Sequence, residues 1–353
     1  MALVFLDGFD HYATAQLQAK WPSQGLGPSS LYSIRQGGGR EAGGGALYAA
    51  TNGSGDNNQP LVSPVFSSQS TWVVGGAVLA NPGCTPFNIG DSASGAIQLT
   101  VGVNGSGYAY GVVEAGTYTA TTVPVSGSAW FYLEAQIVIS ATVGSLTVRV
   151  NGTTVVTETN INTAKGGVTT ANCLIIGAPG FSQGTVWTVN GLIDDLYLFD
   201  GAGSANTTFP SAIPTVQCLW PNAPGTNAQW TGLPYASGNN FANVNDETPD
   251  GDFTVNQSGT VGNLDTFKHD ELRPPSGTVF ALQHCITART STATSHSVAA
   301  AEYTGGTAYV DTGQALPTGY TCATFPHDTD PATGSAYTVA GVNAAEFGYE
   351  LTA

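Results

Sequence analysis

Positive charge is what this sequence has least of. Only 8 Lys and Arg stand against 24 Asp and Glu, which gives a formal net charge of -16, and charged residues make up 9% of the chain. Proteins that bind nucleic acid need a cationic surface that neutralises phosphates. The composition therefore excludes nucleic acid as a partner, and the acidic excess instead favours solubility.

Helical periodicity and long apolar runs are also missing. No run reaches the length that crosses a bilayer, so we expect no membrane insertion. The start of the chain, Met1 to Leu6, lacks the basic region of a signal peptide, and Asp7 ends its apolar stretch. Gly, Ser, Thr and Asn are nevertheless as frequent as in extracellular proteins. We therefore expect synthesis in a cytoplasm followed by display outside the cell.

Cysteine is sparse and has no metal-binding spacing. The five residues are Cys84, Cys173, Cys218, Cys285 and Cys322, and no Cys-x-x-Cys occurs among them. A zinc ribbon or a dithiol redox motif is therefore not expected. The number is odd, so at least one thiol has no intramolecular disulfide partner. Buried reduced thiols and disulfides formed late, in an assembled particle, both remain open.

What the chain does have is 41% hydrophobic residues in an alternating pattern, broken by 46 Gly and 19 Pro. Alternation between tight turns predicts short β-strands throughout, about twelve of them before residue 200. Asn104-Gly105, ahead of a strand expected at Tyr108–Val113, and Asn151-Gly152 each predict a β-hairpin. The length suits two domains. We predict an all-β protein with a domain at 1–200, a linker at 201–214 and a second β-sandwich domain at 215–353.

Strands in the second domain are predicted from the same alternation, with a short helical turn at Ala336–Ala345. The predicted strands are Val216–Trp220, Phe253–Val255, Thr266–His269, Thr278–Arg289, Thr307–Val310, Thr321–Phe325 and Phe347–Leu351.

Four segments of the first domain come in an order typical of one fold family. They are Phe5–Asp10 (FLDGFD), Trp130–Ile137 (WFYLEAQI), Val148–Gly152 (VRVNG) and Gly191–Leu198 (GLIDDLYL). Together they resemble the strands of the concanavalin A-like or laminin-G-like jelly roll. The resemblance implies an N-terminal jelly-roll sandwich. It implies no single function, because this fold hosts lectins, glycosidases and spacers.

Two segments of the second domain resemble the carboxy-terminal half of a group of tailed-phage virion proteins. They are Asp246–Asp252 (DETPDGD) and Asp330–Gly348 (DPATGSAYTVAGVNAAEFG). Proteins of this group also carry a jelly roll in front. The resemblance implies a structural part of a phage tail or capsid exterior, located on the virion.

Catalytic motifs are not recognisable. Jelly-roll glycosidases carry a Glu-x-Asp-x-x-Glu strand whose paired carboxylates act together, whereas Glu134 stands alone on its strand. Gly180-Phe181-Ser182-Gln183-Gly184 matches the Gly-x-Ser-x-Gly pattern but lacks the following helix that the pattern requires. We therefore predict that the chain is not an enzyme and has no catalytic residues.

Acidic residues offer a candidate cation site. Asp246, Asp250 and Asp252 form the densest acidic cluster, and Ca²⁺ prefers such oxygen ligands. The alternative to a cation site is a turn whose carboxylates are exposed to solvent. Asp194-Asp195 is a weaker candidate, because alternation along a strand would direct one of the two side chains outward. No other cofactor is expected.

Aromatic residues near predicted turns or strand ends offer a candidate glycan-binding face. Trp187, Tyr108 and Tyr110 are the candidates, since sugar faces stack on aromatic rings, and packing in the core is the alternative for each. We predict a structural component of a bacteriophage exterior that contacts other virion proteins and copies of itself. The alternatives are a carbohydrate-binding host-recognition module and a polysaccharide-degrading enzyme.

Overall fold

The computed structural model describes residues 2–22, 32–50, 60–177, 189–235, 238–292 and 294–353. The chain divides into two compact units, Met1–Val216 and Gln217–Ala353. Regular structure in both is almost entirely strand, which confirms the all-β prediction. Within the described ranges no helix has the length and apolarity needed to cross a membrane.

The described part of the first unit contains fourteen strands and one short α-helix, α1 (Leu17–Lys20), with 3-10 turns at Thr14–Gln16 and Lys165–Gly167. The strands are β1 (Leu3–Asp7), β2 (Tyr32–Arg35), β3 (Ala46–Ala49), β4 (Leu61–Val62), β5 (Thr71–Ala80), β6 (Cys84–Gly90), β7 (Ile97–Val103), β8 (Ala109–Val113), β9 (Gly116–Thr119), β10 (Phe131–Val138), β11 (Gly144–Val150), β12 (Thr153–Ile161), β13 (Cys173–Ile176) and β14 (Gly191–Phe199).

Two antiparallel sheets form this unit. The eight-stranded sheet has the order β12-β11-β10-β5-β14-β3-β2, with β1 paired to β14, and the six-stranded sheet has the order β4-β13-β6-β7-β8-β9. Their inner faces share one apolar core, to which Leu133 and Ile137 contribute from the first sheet and Phe87, Leu99 and Val101 from the second. This two-layer arrangement confirms the predicted jelly-roll sandwich.

The structure has both predicted hairpins, with turns of different length. β11 and β12 are joined by Asn151 (φ 49°) and Gly152 (φ 77°), the left-handed pair that a two-residue turn requires. β7 pairs with β8 through a five-residue connection, 104–108. The Asn104 side chain accepts the N–H groups of Ser106 and Tyr108, both at 3.0 Å, and the left-handed position falls on Gly107 (φ 85°). The Asn104 side chain thus stabilises the longer turn.

The described part of the second unit contains ten strands, a 3-10 turn at Asn240–Asn243 and the helix α2 (Val339–Ala344). The strands are β15 (Pro221–Ala228), β16 (Thr231–Leu233), β17 (Val255–Gln257), β18 (Leu264–His269), β19 (Leu282–Ala288), β20 (Ser297–Thr304), β21 (Thr307–Val310), β22 (Gln314–Ala315), β23 (Thr321–His327) and β24 (Glu346–Leu351).

One six-stranded sheet and two ribbons build the second unit. The sheet has the order β15-β18-β24-β20-β21 with β22 on β20, and the ribbons are β16-β17 and β19-β23. Val298 and Ala300 of β20 pack against Ala323 and Phe325 of β23, so the sheet and the second ribbon form the two layers of a small sandwich. The partly buried side chains of Ile286, Leu316 and Tyr349 pack against this small core.

Two predicted strands of this unit are displaced along the chain. The strand expected at Val216–Trp220 is β15, which begins at Pro221, and the strand expected at Phe253–Val255 is β17, which begins at Val255. β15 carries Pro221 and Pro224, and it lies at the edge of its sheet, where missing N–H donors are tolerated. Sequence alternation alone did not indicate a strand with two prolines.

Candidate functional site

The densest group of polar side chains in the first unit lies on the outer face of the eight-stranded sheet. β10 directs Leu133 and Ala135 into the core, so Glu134 points to the opposite face. The pairing register places Glu134 beside Gly75 of β5 and Arg149 of β11, and Gly75 beside Tyr197 of β14. Four neighbouring strands therefore contribute one row of side chains, in the order Tyr197, Gly75, Glu134 and Arg149.

Glycine at position 75 makes this row possible. A Cβ there would collide with the ring of Tyr197, which crosses the space instead. The Tyr197 hydroxyl donates to Glu134 Oε1 at 2.7 Å. Arg149 Nε lies 3.6 Å from Glu134 Oε2, an oxygen with no hydrogen-bond partner in the described part of the chain. Glu134 is thus a buried carboxylate with one hydroxyl donor and one nearby cation.

Burial dominates the electrostatics of Glu134. It raises the pKa of the carboxyl, while the Tyr197 hydroxyl and the Arg149 charge oppose the rise. The carboxyl is 1% exposed and Tyr132, on the same face, is 2% exposed. Among the described residues these side chains are shielded from solvent, so the face is a closed polar layer.

Residues 207–216 cover this layer, and we call them the covering segment. Gln136 Nε2 donates to the carbonyl of Thr207 at 3.4 Å, and Arg149 donates to the carbonyl of Pro210 at 3.4 Å. The Arg149 guanidinium also lies 4.8 Å from the centre of the Phe209 ring. Side chains of the sheet therefore bind the segment mainly through its backbone carbonyls, which any sequence can supply.

A second buried cluster fixes the end of the covering segment. Arg40 Nη2 donates to the carbonyl of Pro214 at 2.7 Å, while Arg40 Nε forms a 2.5 Å ion pair with Asp195 Oδ2. The other oxygen of Asp195 accepts the backbone N–H of Val216 at 2.6 Å. Asp194 accepts the backbone N–H of Arg40 at 2.7 Å. Arg40 and the two adjacent carboxylates thus join three parts of the chain that are distant in sequence, namely residue 40, residues 194–195 and residues 214–216.

Both carboxylates of this pair are buried, Asp194 at 5% exposure and Asp195 at 1%. The expectation that one of them points outward is wrong, because β14 has a bulge between Asp194 and Tyr197 where Asp195 adopts φ 50°. The bulge breaks the strict alternation on which the expectation rested. It also brings Asp10 near the pair, since the charges of Asp194 and Asp10 interact.

Asp10, Asp194 and Asp195 lie close enough for their charges to interact, and the pKa values of all three are raised. Burial raises the pKa of Asp10 to about 6, with a smaller opposing effect from its hydrogen bond to the N–H of Gly45. Burial, and then the charge of Asp195, raises the pKa of Asp194. Burial also raises the pKa of Asp195, and the Arg40 charge opposes it. Ca²⁺ prefers oxygen ligands, but Arg40 already pairs with Asp195. Protonation of a carboxyl group is therefore the simpler way to reduce the negative charge of this cluster.

The predicted acidic cluster of the second unit is divided between two partners. Asp246 and Asp250 both reach the hydroxyl of Thr254, at 2.9 and 3.0 Å. Asp252 is directed to Arg289 instead, with an ion pair of 2.9 Å. The structure brings Asp246 and Asp250 together and leaves Asp252 in a different contact. A Ca²⁺ site formed by all three stays a prediction.

The predicted glycan-binding aromatics do not form one surface in the described residues. Tyr110 is 9% exposed and its hydroxyl bonds to Thr85 Oγ1 at 2.7 Å, whereas Tyr108 is half-buried beside the exposed Gly105 and Ser106. Trp187 and the Gly180–Gly184 motif lie outside the described residues. Glycan contact by these side chains stays a prediction.

Sequence reasoning missed the most connected carboxylate of the first unit. Asp7, 1% exposed, accepts hydrogen bonds from Tyr12 and Trp21, both at 2.7 Å, and from the N–H of Phe9 at 2.9 Å. Lys20, 2% exposed, lies 3.2 Å from it. Asp7 therefore anchors α1 to β1. In the sequence, this contact is indicated only by the presence of Asp7, Lys20 and Trp21 within the first 21 residues.

Comparisons with known proteins were made on sequence and on structure. No family model and no curated protein matches this sequence. Among similar solved structures is a pentraxin from Limulus polyphemus, at 16% identity and a TM-score of 0.33, over 42% of this chain and 73% of that one. Another is alginate lyase Aly36B, at 13% identity and a TM-score of 0.36, over 55% and 95%. A third is an endo-1,3-beta-glucanase from Streptomyces sioyaensis, at 13% and 0.35, over 56% and 95%.

The prediction that the chain is not an enzyme is corrected by these comparisons. The similar solved structures include a lyase and a glucanase. At such low identity the likenesses assign no activity to this chain.

Proposed function

We propose that this chain is a structural component of the exterior of a bacteriophage particle, on the tail or the capsid. The observation that carries the proposal is the covering segment. The face of the eight-stranded sheet that bears Glu134 and Tyr132 is closed by the chain's own residues 207–216. A sandwich that buries this face internally is suited to be a rigid building block. The resemblance of Asp246–Asp252 and Asp330–Gly348 to tailed-phage virion proteins supports the particle context.

Contacts with neighbouring copies need an accessible strand edge, and β12 offers one. This strand has nine residues, lies at the end of the eight-stranded sheet and pairs only with β11. It contains no proline and a single charged residue, Glu158, whereas proteins that block edge pairing use proline and charge for this purpose. The edge strand β15, by contrast, carries two prolines. We propose β12 as the edge through which copies associate.

Location on the particle is tested by labelling. An antibody raised against the chain is applied to intact particles of the phage that encodes it, and bound gold is located by electron microscopy. The proposal expects gold at fixed positions on the tail or capsid surface, together with the chain in the mass spectrum of purified particles. If the chain is absent from particles purified through a density gradient, the proposal is wrong.

Self-association through β12 has a matched test. Thr157 and Thr159 are exposed on this strand, and changing both to Asp puts two negative charges on the edge. The control variant, Thr121→Asp with Thr122→Asp, makes the same two changes in the exposed loop between β9 and β10. Sedimentation equilibrium should show weaker association only for the β12 variant. Equal association of the two variants would remove β12 from the proposal.

Glycan recognition is a second candidate function, favoured by one observation. Tyr108 presents a half-buried ring next to an exposed turn, an arrangement that suits stacking against a sugar. Binding to surface polysaccharides of the host bacterium is measured for the wild-type chain and for Tyr108→Ala. The same mixtures are assayed for new reducing ends, which would reveal degradation. Absence of binding to every polysaccharide would eliminate this candidate.

A further inference from the structure

The second unit exposes large apolar side chains around the β16–β17 ribbon. Phe253 is 84% exposed, Tyr235 50% and Leu233 48%. Leu233 pairs with Val255. Tyr235 follows Leu233 by two residues, and Phe253 precedes Val255 by two residues. We call Leu233, Tyr235, Phe253 and Val255 the Phe253 patch. Clustered exposed aromatic and aliphatic side chains are uncommon on a protein that has no partner.

Hydrogen bonds fix the chain on the N-terminal side of Phe253. The Asp252 carboxylate accepts from Arg289 Nη2 at 2.9 and 3.1 Å and from the hydroxyl of Tyr320 at 2.7 Å. These donors come from the residue after β19 and from the residue before β23, so Asp252 is attached to the second layer of the sandwich. Tyr320 is itself 38% exposed and extends the aromatic surface.

The residue that follows Phe253 is fixed in the same way. Thr254 donates its backbone N–H to Asp250 at 3.2 Å, and its hydroxyl bonds to Asp250 and Asp246. Phe253 is thus an exposed ring between two residues with defined contacts. A side chain whose backbone is fixed in advance loses less entropy on binding, which is the property of an anchor residue in an interface.

The border of the patch carries an excess of negative charge. Asp246, Glu247, Asp250 and Asp252 lie next to Phe253 in the chain, and of these Asp252 is paired with Arg289. The whole second unit has 13 Asp and Glu against 3 Lys and Arg. A second copy docked patch to patch would bring like charges together, which opposes association. The complementary partner is therefore cationic.

We propose that the Phe253 patch is a docking surface for another protein, one that presents an apolar surface bordered by lysine or arginine. Phe253 enters the apolar surface, and the surrounding carboxylates pair with the cationic border. The inference rests on side chains of the second unit and does not require the proposed particle role.

The test uses two synthetic β-hairpin peptides and the full chain. Both peptides carry Trp and Leu on one face, bordered by lysine in one peptide and by glutamate in the other. Binding is measured by fluorescence anisotropy. The lysine peptide should bind the wild-type chain, with an affinity that falls as salt rises, and the glutamate peptide should bind at least about tenfold more weakly.

Variants locate the binding on the patch. Phe253→Ser should weaken the lysine peptide about tenfold or more, as expected for an interface anchor. The control Val261→Ser removes another side chain that is 60% exposed in the same unit and should leave the affinity unchanged. Equal binding of both peptides, or an undiminished affinity of Phe253→Ser, overturns the proposal. It is also overturned if Phe253→Ser abolishes a dimer of the chain or binding to phosphatidylcholine vesicles, since the occupant is then a second copy or a membrane.

Discussion

Acidification should destabilise the second unit through two half-buried histidines, His284 and His269. His284 stacks on His327 with ring centres 5.0 Å apart and meets the ring of Phe347 at 5.1 Å, and its Nε2 is buried with no hydrogen-bond partner among the described residues. His269 also meets the Phe347 ring, at 5.5 Å. Burial lowers the pKa of His284 to about 3 and that of His269 to about 4.

The sign and size of the effect follow from linkage. The unfolded chain protonates these histidines near their ordinary pKa of 6.5, whereas the folded chain resists protonation. Stability is therefore complete above about pH 6.5 and is lost as the pH falls toward 4 and 3. At about pH 5 each histidine should cost about 2 kcal/mol, so the two together should cost about 4 kcal/mol.

Neighbouring groups modify this loss in known directions. Asp311 accepts a hydrogen bond from His327 Nε2 at 2.9 Å, and its charge partly favours protonation of His284. Burial raises the pKa of Glu302, which bonds to the Tyr337 hydroxyl at 2.9 Å. A raised carboxyl pKa gives stability as the pH falls, so Glu302 opposes the histidines. The histidine effect should exceed it, because two groups contribute.

Hydrogen exchange measured by mass spectrometry resolves the second unit from the first. Peptides from β19 and β23 should lose protection between about pH 8 and about pH 5 after correction for the intrinsic exchange rate. His284→Phe removes one titrating group, so this variant should lose about 2 kcal/mol less stability than the wild type on acidification. The control is His296→Phe, at a half-buried position. If His284→Phe shows the same pH-dependent loss as the wild type, burial of this histidine is not the cause.

Three further perturbations concern the first unit. Gly75→Ala should lower the free energy of unfolding, measured by urea denaturation, by about 1–3 kcal/mol, because the added Cβ meets the ring of Tyr197. The control is Gly105→Ala, where the space around the added Cβ is open. Lys20→Met should cost about 3 kcal/mol by leaving the buried Asp7 without its cation, and an unchanged thermal midpoint would contradict that pairing. Phe209→Ser should weaken the binding of the covering segment to the sheet by about 1 kcal/mol. Hydrogen exchange in β10 and β11 should then be faster. Unchanged exchange would show that the Phe209 ring does not close this face.

The sequence predicted strands best where branched residues alternate. The alternating segments Ile97–Val103, Gly144–Val150 and Cys173–Ile176 of the first domain and Thr307–Val310 of the second each predict a strand, and β7, β11, β13 and β21 have these bounds. β20 was missed although it lies inside its sheet, because Ser-Val-Ala-Ala-Ala-Glu-Tyr-Thr has little intrinsic strand preference. Ala300 packs against the second layer, a contact that a single sequence does not reveal.

The candidate site was less predictable than the fold. Glu134 and Tyr197 are separated by 63 positions, and their contact depends on the register of three strands and on a glycine between them. The burial of Asp194 beside Asp195 depends on a bulge that alternation cannot indicate. Local patterns fix which residues form strands, whereas the pairing of strands fixes which polar groups meet.

The scarcity of cations has a consequence for surfaces that the composition alone did not indicate. Of the 8 Lys and Arg, Lys20, Arg40 and Arg149 form ion pairs with carboxylates that are at most 1% exposed. The interior therefore uses cations that would otherwise balance charge on the outside. Few remain to pair with the exposed carboxylates, so the exterior attracts cationic partners and repels like copies at long range. The proposed association of copies would then depend on short-range contacts such as strand pairing at β12, whereas a different, cationic protein would gain from charge before any contact forms.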